Sequence, residues 1–271
     1  MTRKGIILAG GKGTRLYPLT VSVTKCILPI YDKPMIYYSL STLMLAGIND
    51  ILVISTPEDE VNFSNLMGDG SNYGISISYE VQPKPEGIAQ ALIIAEKYLN
   101  NSPSALILAD NIFYGDGLEN KLARSCMMDH NTVFSYLVDD PERFGICEVD
   151  ENNMVTSLVE KPESPKSNLA VTGLYFYDSN APYIARNIKP SDRGELEITD
   201  VNIEYMKSKK LYSEILDDKF SWIDAGTQSS FLEASNFVKN IEDRQGIKIC
   251  CPEEIAFKKG YISSDDLNKI A

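Results

Sequence analysis

Gly5-Ile6-Ile7-Leu8-Ala9-Gly10-Gly11-Lys12-Gly13-Thr14-Arg15 begins with five residues of strand character that run straight into three glycines and an arginine. Glycines directly after a strand let the backbone turn sharply and aim several N–H groups at one anion, although a glycine there can also simply make a turn. Gly11-x-Gly13 falls short of a dinucleotide fingerprint, because position 16 is Leu, and no lysine follows at P-loop spacing. Arg15, with Lys25 ten residues on, adds full positive charge, which turns the reading toward a triphosphate. Residues 1–34 hold six basic side chains (Arg3, Lys4, Lys12, Arg15, Lys25, Lys33) against Asp32 alone, whereas the whole chain carries −12. A phosphate-binding pole on an acidic protein is the expectation, with chance clustering as its alternative. The acidic total argues against nucleic acid or an anionic membrane as partner.

Outward from that loop, the first 110 residues alternate strand and helix. Strands are expected at 5–9, 51–55, 75–81 and 104–108. Helices are expected at 35–46, with Pro34 at its first turn and Gly47 at its end, and at 87–99, where Ile88, Ala91, Leu92, Ala95 and Leu99 form a stripe. This β-α-β order predicts an α/β fold with a mostly parallel, Rossmann-like central sheet and helices on both faces. The pattern then changes to strands at 132–138, 146–149, 155–159 and 171–177 joined by short polar turns, which reads as an inserted antiparallel lobe. A helix at 196–208, strands at 212–216 and 221–223, and a helix from 229 to 244 between Thr227 and Gly246 follow, then two short helices, the second opened by Ser263 with Asp266 three residues on. The expectation is one domain over 1–271, with a nucleotide-binding half to about 110, a sugar- and metal-binding half to about 227, and C-terminal helices beyond.

At 271 residues the chain can bury a large core. Its longest uncharged apolar stretch, residues 35–48, is too short to span a bilayer. The basic start and short apolar run mimic a signal peptide, but the apolar part is only about five residues where roughly seven are needed, so a cytoplasmic protein is expected. Five cysteines (26, 126, 147, 250, 251) form no C-x-x-C pair, and His130 is the single histidine, in a polar stretch that reads as a surface turn. A structural zinc site, a disulfide framework or an imidazole-driven triad is therefore not expected. Two aspartates stand out instead. Asp110 follows the run 105–109 and Asp224 follows 220–223, both at carboxyl ends of strands, where open α/β sheets bind ligands. Such a pair can hold Mg²⁺, although a single aspartate there is often just a solvated loop residue.

Quoted in order, the motifs resemble one family. They are 5–15, Thr24-Lys25-Cys26-Ile27-Leu28-Pro29, Asp32-Lys33-Pro34-Met35-Ile36-Tyr37-Tyr38, Val81-Gln82-Pro83 with Gly87-Ile88-Ala89-Gln90-Ala91, and Asp110-Asn111-Ile112-Phe113-Tyr114-Gly115. Further on come Asp140-Pro141-Glu142-Arg143-Phe144-Gly145, Glu160-Lys161-Pro162, Val171-Thr172-Gly173-Leu174-Tyr175, Arg193-Gly194-Glu195-Leu196-Glu197-Ile198-Thr199-Asp200, Trp222-Ile223-Asp224-Ala225-Gly226-Thr227 and Cys251-Pro252-Glu253-Glu254-Ile255-Ala256. Together they resemble the signature of glucose-1-phosphate thymidylyltransferases over nearly the whole chain. The resemblance implies a Mg²⁺-dependent transfer of dTMP from dTTP to glucose 1-phosphate, with release of pyrophosphate, by a homo-oligomer (a tetramer in that family).

By matching positions, Leu8, Gly10, Gly11, Gly13, Thr14 and Arg15 would belong to the nucleotide site, with Lys25 beside the reacting phosphates and Gln82 and Gly87 reading the pyrimidine. Asp110 and Asp224 would bind the metal. Asn111, Gly145, Glu160, Lys161, Val171 and Tyr175 would line the hexose site, with Lys161 and Arg193 reaching its phosphate. This chain departs from the pattern at Cys26, Ala109, Asp116, Ala225 and Gln228, none of which removes a proposed ligand. A uridylyl- or cytidylyltransferase, a non-catalytic nucleotide-sugar-binding subunit and a nucleotide-sugar-dependent glycosyltransferase are the competing readings. The last would typically show an Asp-x-Asp metal motif in place of the glycine loop.

Overall fold

In the computed structural model, residues 2–11 and 13–270 are described; Lys12 lies outside them. The strands are β1 Lys4–Leu8, β2 Pro29–Ile30, β3 Lys33–Pro34, β4 Asp50–Ser55, β5 Ser76–Val81, β6 Ser104–Leu108, β7 Asn111–Gly115, β8 Asn131–Leu137, β9 Gly145–Val149, β10 Val155–Glu160, β11 Leu169–Tyr177, β12 Leu211–Leu216 and β13 Phe220–Asp224. The helices are α1 Ile36–Leu45, α2 Glu60–Met67, α3 Gln90–Ile94, α4 Glu96–Leu99, α5 Leu118–Met127, α6 Ala181–Asn187, α7 Ile198–Lys207, α8 Gln228–Gln245, α9 Pro252–Lys258 and α10 Ser264–Ile270.

Strand alternation divides the core between the two faces of the sheet. Ile7, Ile51, Val53, Ala105 and Ile107 pack with α1, α2 and α9 on one face. Ile6, Leu52, Ile54 and Leu106 pack with α3, α6 and α7 on the other. Both faces being covered, the strands read as continuous apolar runs, as parallel sheets do. Helix α1 is buried along most of its length, which accounts for the long apolar stretch around it. Among the described residues, no helix is long and apolar enough to cross a membrane.

The parallel strands lie in the order β5-β4-β1-β6. The expected antiparallel strands are present and continue that same sheet. Strand β11 runs antiparallel to β6 on one edge and to β8 on the other, and β12 pairs parallel with β8. The β9–β10 hairpin joins the N-terminal half of β11 through Ala170 and Ile146. A separate ribbon pairs β7 with β13.

One expected helix divides. The segment 87–99 becomes α3 and α4, interrupted at Ala95, and it starts at Gln90 because Gly87 has φ +108°. Helices α2, α5 and α6 appear where the sequence shows too few apolar positions for a stripe; α2 buries only Phe63 and Met67. Helix α8 ends where its caps predict. Thr227 and Ser230 form a reciprocal capping box, and Gly246 closes the helix in the left-handed region. Ser263 and Asp266 bond each other ahead of α10.

The basic pole does not survive folding. The Arg3 guanidinium is buried at the opposite end of β1 from the glycine loop, donating to the carbonyls of Ser104 and Tyr177. Lys4 pairs with Asp50 beside it, and Lys33 is buried against Glu242. Of the described members, Arg15 and Lys25 lie beside Asp224 and Asp110. Charge clustered in sequence carries no information about which end of a strand each side chain reaches.

Candidate active site

The glycine loop contributes to two cavities, Gly11 to one and Arg15 to the other. The larger, about 670 Å³, is lined by Gly11, the segment 20–24, the segment 56–59 after β4, and Gln82 after β5. It lies at the carboxyl ends of parallel strands, the ligand edge of such sheets. Leu8 ends β1, and Gly10 packs against Gln82, whose Oε1 would stand 2.5 Å from a Cβ there. Gly13 adopts φ +59° at the start of the short turn Thr14–Leu16, and a Cβ on it would meet Thr20 and Lys25. Thr14 and Arg15 are exposed on that turn. Gly87 stands apart from the lining and packs against the backbone of Leu196.

The smaller cavity, about 170 Å³, is lined by Arg15, Asp110, Asn111, Gly145, Glu160, Lys161, Val171, Tyr175 and Asp224, which gathers most of the residues expected for sugar and metal. The β7–β13 ribbon sets Asn111 opposite Asp224, and the Asp110 carbonyl accepts from Ala225 N–H at 2.9 Å. The two carboxylates are thus brought to adjacent positions from chain segments more than a hundred residues apart. Asn111 is oriented by two groups that can only donate. Gly173 N–H (3.0 Å) and Trp222 Nε1–H (2.6 Å) both reach its Oδ1, so its Nδ2 donates to Asp110 Oδ1 at 3.0 Å.

Lys25 forms an ion pair with Asp110 Oδ2. Burial pushes the Asp110 carboxyl up, but the Lys25 charge and hydrogen bond, with that of Asn111, more than offset this and hold it below its ordinary value. Burial lowers Lys25, and Asp110 more than restores it, so it stays cationic. Asp224 behaves oppositely. Burial first, then the charge of Asp110, push its pKa up against the pull of Arg15 and Lys25. Gly226 N–H donates to Asp224 Oδ1 at 3.1 Å, and a Cβ on Gly226 would meet both that oxygen and Arg15 Nη2.

At the far wall, Glu160 accepts from Thr199 Oγ1 at 2.6 Å, with Lys161 Nζ at 3.5 Å and Arg193 Nη2 at 3.6 Å from its Oε1. Arg193 does not line the cavity; it sits at the rim, bonded to Glu197 at 2.9 Å. Ile198, Thr199 and Asn202 present the start of α7 to the cavity, so a helix N-terminus joins Lys161 and Arg193 in favouring an anion. Thr199, Asn202, Arg143 and Trp222 were not singled out from sequence. Arg143, Thr199 and Trp222 stand inside motifs quoted for the resemblance, while nothing marked Asn202. His130 lies at the N-terminal end of β8, the edge away from both cavities, stacked on Tyr212.

Among the described residues no group of three His, Cys, Asp or Glu side chains is arranged to hold a metal. Two carboxylates do suit a hard ion that completes its shell with phosphate oxygens and water, as Mg²⁺ does.

The family profile described as nucleotidyl transferase matches residues 4–241. A glucose-1-phosphate thymidylyltransferase of Xanthomonas campestris pv. campestris is 53% identical over 270 residues, covering 99% of this chain and 92% of that protein. One from Mycolicibacterium smegmatis is 51% identical over 264 residues, 97% of this chain and 92% of that one. A Bacillus anthracis structure described as a glucose-1-phosphate thymidylyltransferase, in complex with sucrose, gives a TM-score of 0.79 at 41% identity, over 87% of this chain and 95% of that one. A UDP-glucose pyrophosphorylase complexed with UDP-glucose gives 0.78 at 27% identity, over 89% of this chain and all of that one.

Proposed function

Because the chain belongs to the nucleotidyl transferase family, we propose that it transfers dTMP from dTTP to glucose 1-phosphate, giving dTDP-glucose and pyrophosphate for deoxysugar (dTDP-rhamnose-type) biosynthesis. The observation that supports this most is that Arg15, Asp110 and Asp224 line the smaller polar cavity while Gly11, in the same loop as Arg15, lines a nucleotide-sized cleft. A sugar phosphate in the smaller cavity, held at its phosphate by Lys161 and Arg193, would present an oxygen toward an α-phosphorus held by the glycine loop. Glu160, Asn111, Val171 and Tyr175 would meet the hexose, with Gly145 leaving room for it.

The attacking oxygen belongs to a phosphate whose second pKa is about 6, so it is ionised near neutral pH and needs no general base. That agrees with the position of His130. What opposes reaction is repulsion between anions, and Arg15 and Lys25 reduce it by stabilising charge on the pentavalent phosphorus. Orientation supplies much of the remainder. Asp110 and Asp224 would hold Mg²⁺, which when bound supplies Lewis-acid neutralisation of the phosphate oxygens. The protein is proposed to act in the cytoplasm as a homo-oligomer, a tetramer.

Pyrophosphate release with Mg²⁺, glucose 1-phosphate and either dTTP or UTP tests the reaction. Release that requires the sugar phosphate and is faster with dTTP supports it. Faster turnover of UTP would make the chain a uridylyltransferase, and binding of nucleotide sugar with no release would make it a regulatory subunit.

A second experiment reads the aspartates. A carboxyl whose folded pKa is raised costs stability at pH values above that pKa and costs nothing below its unfolded pKa. Asp224→Asn is therefore expected to raise the thermal midpoint of the ligand-free protein near neutral pH. Added Mg²⁺ should stabilise the wild type, since a ligand of the folded state does so by mass action, and should stabilise the variant less. Equal Mg²⁺ shifts in both would remove Asp224 from the metal site.

A further inference from the structure

The side-chain amide of Gln82 is oriented from behind. Its Nε2 donates to Gln90 Oε1 at 2.6 Å and to the Gly87 carbonyl at 3.3 Å. An amide's orientation is decided by partners that have no choice of role, and Gln90 has two. The Glu86 backbone N–H, which can only donate, reaches Gln90 Oε1 at 3.3 Å, and the Glu86 carboxylate, which can only accept, takes Gln90 Nε2 at 2.8 Å. Gln90 must therefore offer Gln82 an oxygen, and Gln82 must answer with its NH₂. The remaining edge of Gln82 is its carbonyl oxygen, which lies over Gly10 of the glycine loop. Gln82 is buried at the floor of the larger cleft, so this edge has one fixed chemical character there.

We infer that Gln90 and Glu86 are positioning residues that lock Gln82 as a hydrogen-bond acceptor toward the base, selecting pyrimidines that carry an N3–H, thymine and uracil, against cytosine. This rests on the functional reading above, in which Gln82 meets the base. Thymine and uracil present a donor at N3, whereas cytosine presents an acceptor at N3 beside an amino group. An amide free to turn over would serve either. One locked by Glu86 serves only the first kind, and leaves cytosine facing a like group, which is how a buried polar contact rejects an analogue.

The test is the kinetics of dTTP, UTP and CTP for wild type, Gln90→Met, and the double variant Gln90→Glu/Glu86→Gln. In the double variant the carboxylate at 90 accepts from Gln82 and from the new amide at 86, which restores the one-way chain. Gln90→Met should raise KM for dTTP about 10-fold with kcat little changed, and lower the dTTP-to-CTP ratio of kcat/KM about 10-fold, the scale of one amide hydrogen bond. The double variant should recover the ratio. A Gln90→Met enzyme with an unchanged ratio, whatever its total activity, overturns the inference, as does a double variant that folds without recovering it. A wild type that turns over neither dTTP nor UTP is a different result: it overturns the functional reading, on which the inference stands.

Discussion

Asp110→Asn is expected to lower turnover by at least on the order of 10²-fold, the scale of losing one transition-state contact, with far-UV circular dichroism and solution size unchanged. Asparagine keeps the shape and one oxygen, so Asn111 still has its acceptor, but the charge that holds the Lys25 ammonium in place is gone. Lys25 is then free to turn toward Asp224, the other carboxylate whose field it feels. Asp224 is affected in its turn, because Asp110 is the leading charge raising it, and its pKa should fall back toward the ordinary carboxylate range. One substitution thus removes a proposed metal ligand, misplaces a proposed phosphate-binding cation and alters the field at the second ligand. Lys25→Ala should cost a similar factor from the other side of the pair. Full activity in both purified variants would refute these roles.

The second large effect is expected from a methyl group. Gly87 lies between two backbone hydrogen bonds, Leu196 N–H to the Glu86 carbonyl at 2.7 Å and Ala89 N–H to the Leu196 carbonyl at 3.1 Å. A Cβ at Gly87 would fall 2.5 Å from Leu196 N and closer still to Leu196 O, and the backbone there has φ +108°. Backbone cannot turn aside as a flexible side chain can. Gly87→Ala must therefore break the pairing of 86–89 with Leu196 as well as strain its own dihedral. Two hydrogen bonds and one strained residue together come to about 3 kcal/mol of stability. Activity should fall too, because that pairing ties the loop behind Gln82 to the segment carrying Arg193 and Glu197. Thermal unfolding and kcat/KM together check this, and a variant within about 0.5 kcal/mol of wild type, the range of ordinary surface substitutions, would contradict the close approach.

Most of the parallel half of the sheet was legible because β1, β4 and β6 are short apolar runs ended by glycine or a polar turn. Helix α1 and the 87–99 segment show a 3.6-residue stripe or clear caps, whereas α2 shows neither. Where the antiparallel strands would attach was not legible. Strand pairing is decided by which edge remains open once the others have folded, and nothing local to residues 169–177 says that both of their edges will be occupied. The glycine loop, Arg15, Lys25, Asp110 and Asp224 could be argued from residue chemistry alone. Gly145, Val171 and Tyr175 could not, since an apolar or small residue in a strand carries no mark of the cavity it will face; only the family resemblance named them. Gln90 was visible as part of a motif, but its use of both ends of an amide depends on Glu86 and Gln82 arriving together in space.

The two walls of the site are built to different stiffness. Tyr175 and Phe176 of β11 are laddered on both edges, to β6 and to β8, so their amides should exchange with solvent only when the sheet itself opens. The phosphate-side segment 13–27 is held otherwise: among the described residues its backbone–backbone hydrogen bonds run to neighbours three residues away, and Tyr17, Leu19 and Val21 stand exposed. Its long-range polar ties are the Gln228 amide donating to the Tyr17 carbonyl at 2.7 Å and the Lys25–Asp110 pair. Segments with few long-range contacts open at low free-energy cost. A hexose bound as proposed would thus meet a surface that is already formed, while a triphosphate would have to order more of its loop and lose part of its binding energy to that entropy. Calorimetry should accordingly show a larger unfavourable entropy for the nucleotide than for the sugar phosphate.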